Sequence, residues 1–203
     1  MKNQLALALA LAAAPFAASA SDLSYTFIEA GYTESTVDLG SLPGFGRLEL
    51  EMDGFAVDGS LAFNDKFYGA FGYRKVEIDG DNAFEPAELT LGFNQAIGAK
   101  ADFIAEASYI GANSEIGGED FHNDGYRVAA GVRAAITNHL ELGAKATHSK
   151  IENMESVTGV NVNGQIKFNQ TWGIVAEYHY NELNFFGDVD TWQIGVRASF
   201  YFR

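Results

Sequence analysis

The chain has 203 residues, which suits a single domain, and it contains no cysteine, so its stability cannot depend on disulfide bonds. It carries 27 acidic against 13 basic residues and a formal net charge of -14. No basic cluster is available to neutralise phosphates, which excludes nucleic acid as an expected partner.

The first twenty residues have the features of a secretion signal. Lys2 provides a positive start, an apolar Leu/Ala run covers residues 5–14, and Ala18-Ser19-Ala20 is a small-residue cleavage site. The apolar run is too short to span a bilayer as a helix, which disfavours the alternative of an uncleaved anchor. We therefore predict a signal peptide over residues 1–20, export through the periplasm, and one mature domain over residues 21–203.

Ten segments in chain order have patterns typical of strands. The clearest is 126–136, in which apolar residues alternate with a face that carries Arg127 and Arg133. Most segments are long enough to cross a bilayer at a tilt, which takes about nine to eleven residues. The predicted strands are 23–33, 52–63, 67–79, 87–95, 101–112, 126–137, 140–151, 157–168, 172–183 and 191–202.

Short turns alternate with longer polar connections along the chain. The short turns are 64–66, 96–100, 138–139 and 169–171, and the longer connections are 34–51, 80–86, 113–125, 152–156 and 184–190. This alternation is typical of bacterial outer-membrane barrels. The fold class predicted is all-β, a transmembrane antiparallel up-and-down β-barrel of ten strands. Eight strands is the alternative, if the first or the fourth segment is miscounted.

One face of these strands is apolar, with aromatic residues near both ends. Phe67 and Trp172 lie near the short turns, whereas Tyr73, Tyr109 and Tyr178 lie toward the longer connections. Aromatic girdles at both interfaces are expected of a barrel embedded in lipid. A soluble β-sandwich with aromatic residues in its core is the alternative.

The opposite face carries six acidic and six basic residues. An Arg or Lys turned toward lipid near the midplane would cost about 2–4 kcal/mol, so we expect these side chains to point inward. A small barrel fills its interior with side chains, and opposite charges can neutralise each other there. If Glu29 points inward, Leu23, Tyr25 and Phe27 of the same predicted strand do too. The predicted ion-pair network that closes the lumen comprises Glu29, Asp58, Arg74, Glu88, Glu106, Arg127, Arg133, Glu141, Lys145, Lys167, Glu177 and Arg197.

The excess negative charge lies in the predicted long loops. These acidic residues are interpreted as a solvated surface that keeps the protein soluble during export. Functional alternatives are contacts with lipopolysaccharide phosphates through divalent cations, or with a surface partner. Asp79, Asp81 and Glu85 lack the ligand spacing of a calcium loop. The two most acidic loops contribute Glu34, Asp38, Glu49, Glu51, Glu115, Glu119, Asp120 and Asp124.

Catalytic motifs are missing from the sequence. His122 lies between acidic residues in a predicted loop, but a water-activating pair needs further groups across the mouth. His148 and Ser149 are adjacent, so on a strand they face opposite sides and cannot form a nucleophile–base pair. There is no Gly-x-Ser-x-Gly and no His-Glu-x-x-His motif. We expect no enzymatic activity, no cofactor and no metal site.

Motifs spread over nearly the whole chain carry a resemblance to a known family. These motifs are Pro15-Phe16-Ala17-Ala18-Ser19-Ala20, Leu23-Ser24-Tyr25, Glu29-Ala30-Gly31-Tyr32, Gly54-Phe55-Ala56-Val57-Asp58-Gly59-Ser60, Phe71-Gly72-Tyr73, Gly125-Tyr126, Gly131-Val132-Arg133 and Trp192-Gln193-Ile194-Gly195-Val196-Arg197. With them the chain resembles the small outer-membrane barrels of the xanthomonad type, once discussed as quorum-sensing or immunity-triggering factors. The resemblance implies a porin-like or opacity-like barrel in the outer membrane, and no catalytic residues. Such chains typically end in an aromatic residue that the barrel-assembly machinery reads, whereas here Phe202 is followed by Arg203.

These observations together predict a non-enzymatic integral protein of the bacterial outer membrane. Its expected partners are outer-membrane lipid and lipopolysaccharide, the barrel-assembly machinery during insertion, and a surface partner that contacts the acidic loops. The predicted role is envelope integrity or surface interaction. The alternative is a narrow porin-like channel for passive diffusion of small solutes.

Overall fold

The computed structural model describes residues 23–42, 46–78, 82–116, 119–152, 156–183 and 187–201. Each strand pairs antiparallel with its neighbours in sequence, and β1 also pairs with β10, so the sheet closes into a barrel. The predicted ten-stranded up-and-down barrel is confirmed, and the eight-stranded alternative is wrong. The strands are β1 (Phe27–Leu42), β2 (Gly46–Ala62), β3 (Phe67–Ile78), β4 (Asn82–Ala96), β5 (Ala101–Ile116), β6 (Glu119–Ala135), β7 (Leu140–Ile151), β8 (Ser156–Lys167), β9 (Trp172–Leu183) and β10 (Gly187–Ser199).

Some predictions lie outside the described residues. They are the signal peptide over residues 1–20, the acidic residues Asp79 and Asp81, and the chain end at Phe202 and Arg203. Within the part of the chain that is described, no helix is long and apolar enough to cross a membrane.

Side-chain oxygens hold the short turns in shape. In the β2–β3 turn, Oδ1 of Asn64 accepts hydrogen bonds from the backbone N–H groups of Lys66 and Phe67, at 2.8 and 2.9 Å. In the β8–β9 turn, Asn169 accepts from Thr171 and Trp172 in the same way, both at 2.8 Å. Asn side chains favour such turns because they replace a backbone acceptor two residues away. These turns define the short-turn end of the barrel, and the opposite end is called the long-hairpin end below.

The outward face of the barrel is an apolar band. Along β10, Trp192, Ile194 and Val196 are 59%, 57% and 50% exposed, and the band ends at Phe200. From Trp192 to Phe200, eight steps of about 3.4 Å give about 27 Å along the strand, or about 21 Å along the axis at a tilt of about 40°. This height is close to the band of about 25 Å found in barrels that span a membrane.

Aromatic pairs border this band at both ends. The rings of Phe67 and Phe93 are 5.4 Å apart at the short-turn end. At the other border the rings of Tyr178 and Trp192 are 4.4 Å apart, and Phe55 lies 6.0 Å from Tyr73. The aromatic residues thus form the two girdles that the sequence predicted.

The strands continue beyond the band, and here the sequence-based boundaries were wrong. Most of the predicted long loops are strand: β1 runs on to Leu42, β2 starts at Gly46, and the β5–β6 hairpin extends to Ile116 and Glu119. The reason is that, beyond the band, apolar residues occupy the inward face and polar residues occupy the outward face. Val76, Ile110 and Ala112 are only 4%, 4% and 3% exposed and face inward, whereas Glu77 and Glu115 face solvent. A strand with water outside needs its apolar residues inside.

The start of the first strand is also corrected. β1 begins at Phe27, and residues 23–26 precede it as an irregular segment. Glu29 is 1% exposed and lies inside the barrel, and Phe27 packs under the guanidinium of Arg197, whose Cζ is 4.0 Å from the ring centre. Tyr25 also reaches the interior, where it hydrogen-bonds Asp102.

Candidate functional site in the lumen

All twelve residues of the predicted ion-pair network lie on inward-facing strand positions, and each contacts an oppositely charged side chain. The six carboxylates meet six basic groups contributed by β3, β6, β7, β8 and β10. The contacts are Glu29–Arg197 at 2.7 Å, Asp58–Arg74 at 3.9 Å, Glu106–Lys145 at 2.8 Å, Glu141–Arg133 at 2.6 Å, Glu177–Arg197 at 3.6 Å, Glu88–Arg127 and Glu141–Lys167.

The network divides into two tiers along the barrel axis. The short-turn tier consists of Glu29, Arg133, Glu141, Lys167 and Arg197, which lie within two residues of the strand ends and whose side chains are 1–10% exposed. The members of the central tier lie four to eight residues from the strand ends, and their side chains are 14–30% exposed. The lumen is therefore dry near the short turns and solvated in its middle. The central tier comprises Asp58, Arg74, Glu88, Glu106, Arg127, Lys145 and Glu177.

A buried triad dominates the short-turn tier. Oε2 of Glu141 accepts hydrogen bonds from Nε and Nη2 of Arg133, at 3.2 and 2.6 Å, and Oε1 of the same carboxylate contacts Nζ of Lys167. These residues come from the neighbouring strands β6, β7 and β8. A single carboxylate thus compensates two cations in a region without water access, where an unpaired charge is costly.

A neutral side chain that the sequence did not single out links the two tiers. Nε2 of Gln193 donates to Glu29 at 3.1 Å and to Asp58 at 3.0 Å, and its Oε1 accepts from Nη2 of Arg74 at 3.2 Å. Gln193 is 2% exposed. The search for charges missed it, although the alternation along β10 puts it on the same face as Arg197.

A second group that the sequence missed fills the short-turn mouth. The ring of Tyr25 stacks on that of Tyr68 with centres 4.9 Å apart, and its hydroxyl donates to Asp102 at 2.8 Å. Tyr68 in turn donates to Glu106 at 2.7 Å and lies over Gly92, where a Cβ atom would come within 2.1 Å of the ring. The sequence pattern could have revealed Tyr68 and Asp102. Each is adjacent to an outward-facing phenylalanine, so the alternation along a strand turns it inward.

A cavity of about 160 Å³ lies in the lumen. The central-tier charges line it together with Arg133 and Arg197 of the short-turn tier and neutral groups such as Thr90 and Asn163. His179 also lines it, with Nε2 3.2 Å from Glu177 and 2.9 Å from Nδ2 of Asn161. The wall therefore offers both charge signs, as expected for a chamber that holds water and small polar solutes.

The residues weighed for catalysis are not assembled into a site. His122 contacts Asn113 at 2.6 Å and Asp124 at 3.0 Å on an exposed hairpin. Ser149 faces inward and bonds Nε of Arg127 at 3.0 Å, on the face opposite to His148. Across the described ranges, no three His, Cys, Asp or Glu side chains are grouped closely enough to hold a metal ion.

Tyrosine–carboxylate pairs mark the border between the apolar band and the acidic hairpins. Tyr73 donates to Glu85 at 3.0 Å, and Nζ of Lys75 lies 3.0 Å from the same carboxylate. These hydrogen bonds lower the pKa of the Glu85 carboxyl, which lies beyond the band. Tyr109 is bonded to Asp124 at the corresponding level of the β5–β6 hairpin.

The comparisons with known proteins bear on the fold. No family model matches the sequence, and no curated protein is similar to it. An outer-membrane channel from Pseudomonas putida F1 is similar in structure, with 9% identity, 87% of this chain and 95% of that chain covered, and a TM-score of 0.52. The β-domain of the Bordetella autotransporter BrkA also has a TM-score of 0.52, with 10% identity and coverages of 86% and 99%.

The attachment invasion locus protein Ail of Yersinia pestis is 17% identical, covers 87% of this chain and 99% of its own, and has a TM-score of 0.42. The two structures with a TM-score of 0.52 show the fold, a closed antiparallel β-barrel of the kind found in outer-membrane proteins. The resemblance to the xanthomonad type stays a prediction.

Proposed function

We propose that this protein is a non-enzymatic integral protein of the bacterial outer membrane, with a lumen that is closed to passive diffusion and a role at the cell surface. The observation that carries the proposal is the pairing of all twelve lumen charges across the barrel. The apolar outward band, about 21 Å tall between two aromatic girdles, supports the membrane location.

The short-turn tier supports a closed lumen. A hydrated ion that moves along the axis meets the Arg133–Glu141–Lys167 triad, whose side chains are at most 10% exposed. The ion would have to separate charges that compensate each other in a dry region. It would also meet positively and negatively charged side chains at the same level of the lumen. A pore that selects by charge is expected to present one sign.

The outer surface of the long-hairpin end supports a role at the cell surface. Beyond the aromatic border, the outward positions of the described hairpins carry many carboxylates, and Lys75 and Lys150 are the lysines among them. Such a surface repels other acidic surfaces and is suited to cations or to basic partners. The outward carboxylates include Glu34, Glu49, Glu51, Asp53, Glu77, Glu85, Glu115, Asp124, Asp188 and Asp190.

A narrow channel is the second candidate, and the solvated cavity favours it. The cavity holds about 160 Å³, and the charged groups around it are up to 30% exposed. If the pairs of the short-turn tier rearranged, this chamber would open toward the short-turn side. The two candidates differ in whether the resting protein conducts.

Planar-bilayer recording of the purified, refolded protein tests the proposal. Folding is first verified on SDS gels, where the unheated barrel migrates faster than the boiled chain. We expect no reproducible conductance steps above the bare bilayer. Steps that depend on protein concentration and disappear on heat denaturation would overturn the closed lumen in favour of the channel.

A complementation experiment separates envelope integrity from surface interaction. A strain that lacks the protein receives the wild type or a Glu49→Gln, Glu51→Gln, Asp53→Asn variant, and dye uptake and adhesion are measured. The barrel body is unchanged in the variant, so restored dye exclusion with lost adhesion supports surface interaction. Restoration of both properties assigns the role to the barrel body, and failure of the wild type to restore either property refutes both roles.

A further inference from the structure

Residues 23–26 cross the short-turn mouth of the barrel ahead of β1. Oγ of Ser24 donates to the backbone carbonyl of Phe200 in the β10 extension at 2.7 Å. On the other side, Oγ of Ser60 in β2 donates to the carbonyl of Tyr25 at 2.8 Å, and the N–H of Ala62 donates to Oγ1 of Thr26 at 3.1 Å. The segment is therefore fastened to both strands that flank β1.

The tyrosine of this segment reaches the far wall of the lumen. Its hydroxyl donates to Asp102 of β5, and the guanidinium of Arg133 in β6 lies over its ring, with Cζ 5.1 Å from the ring centre. Nη1 of Arg133 also donates to the carbonyl of Ser24 at 2.7 Å. In a ring of ten strands, β5 and β6 lie opposite β1. One side chain thus bridges the diameter of the barrel.

The groups that hold the tyrosine have other partners available. Asp102 and Arg133 are directly opposite each other in the β5–β6 ladder. Side chains at such positions have Cβ atoms about 4.5–5.5 Å apart, so the two charges can pair directly. Arg133 also keeps its bonds to Glu141. Departure of Tyr25 would therefore leave no uncompensated charge behind.

We infer that residues 23–26 form a displaceable plug, and that its displacement admits water and small ions from the short-turn side into the central chamber. This inference rests on the closed lumen proposed above. Tyr25 is the latch, because its side chain spans the mouth from the segment to Asp102. The chamber behind it is already solvated, so the plug controls its connection to the short-turn side.

The accessibility of the chamber in Tyr25→Ala tests the plug. The measurement uses the absence of native cysteine. Ile104→Cys, whose parent side chain is 6% exposed beside the cavity, is reacted with a small charged methanethiosulfonate in the presence and absence of Tyr25→Ala. We expect labelling to be at least tenfold faster without the latch.

Two further variants control the experiment. Tyr126→Ala removes the same ring from the outward face, where it is 52% exposed, and should not change the labelling rate. Tyr25→Phe keeps the stacked ring and loses only the bond to Asp102, so its labelling should rise less than that of Tyr25→Ala. If Tyr25→Ala lacks the gel shift of a folded barrel, Tyr25→Phe with Asp102→Asn replaces it, with faster labelling expected than in Tyr25→Phe.

The outcomes separate this inference from the proposed function. A wild type that conducts overturns the closed lumen. A silent wild type with a folded latch variant that labels no faster leaves the closed lumen standing and overturns the plug. Equal effects of Tyr25→Ala and Tyr126→Ala overturn it as well, because the change would then follow from general destabilisation.

Discussion

Glu141 offers the sharpest test of the energetics of the lumen. Its side chain is 3% exposed and compensates Arg133 and Lys167, which are 10% and 7% exposed. Removal of one partner from a buried pair costs about 3–5 kcal/mol, because the remaining charge is left without compensation. Arg133 keeps its bond to Ser24, and Lys167 keeps a contact with the hydroxyl of Tyr201 at 3.2 Å. We therefore expect Glu141→Gln to lower the free energy of unfolding by about 3–5 kcal/mol in total, and not by that amount for each of the two cations.

The control is Glu88→Gln in the central tier. Glu88 and its partner Arg127 are 20% and 30% exposed, so water screens the pair. Exposed pairs contribute about 1 kcal/mol or less, and we expect a loss of that size. The two variants make the same chemical change on the same inward face, and they differ in tier and in the number of cations that the carboxylate pairs with.

The assay is urea unfolding of the protein folded in lipid vesicles, followed by the fluorescence of Trp172 and Trp192. A loss of 3–5 kcal/mol lowers the equilibrium constant for folding by about 10²–10⁴-fold. A change of this size is readily measured as a shift of the urea midpoint. Replacement of the whole triad by Arg133→Met, Glu141→Leu and Lys167→Met should regain most of the loss. A Glu141→Gln loss within 1 kcal/mol of that of Glu88→Gln would refute the assignment of a dry short-turn tier.

Three further predictions concern other parts of the barrel. Val196→Arg, at the middle of the outward band, should cost about 2–4 kcal/mol in the same vesicle assay; a neutral effect would contradict a lipid environment there. Ile110→Ala should cost about 2–5 kcal/mol because its side chain is 4% exposed inside the extended barrel wall, whereas a loose hairpin would lose almost nothing. The lowered pKa of Glu85 means that its pair with Lys75 stabilises the fold above the ordinary carboxyl pKa of 4.5 and loses this contribution as the pH falls through the lower folded value. Lys75→Met should shift the NMR titration of the Glu85 carboxyl upward, and an unchanged titration would rule the pair out.

The part of this barrel that carries the apolar band was predictable from the alternation along single strands. Apolar and charged residues alternate there with period 2, and the cost that a charge would have in lipid predicts which face points inward. That argument assigned Arg127 and Arg133 to the interior before their partners Glu88 and Glu141 were known.

The extended strands beyond the band were not predictable by the same argument. There the solvent outside is water, so the inward positions are apolar and the outward positions are polar. At Val76–Glu77 and Ile110–Asn113 the apolar residue therefore points inward, which reverses the pattern of the band. Backbone pairing across the hairpin continues regardless of that sense, as in the ladder from Tyr109–Tyr126 to Ile116–Glu119. Only the structure shows that these residues belong to strands.

The sequence by itself predicted antiparallel strands with an apolar outward face and a charge-balanced opposite face, because each of these follows from the alternation within single strands. The tertiary structure decided which charges meet, how the network divides into a dry and a solvated tier, and that Tyr25 crosses the mouth to Asp102. Those contacts join strands that are far apart in the chain. Their partners depend on the tilt and register of the whole sheet, which no local pattern contains.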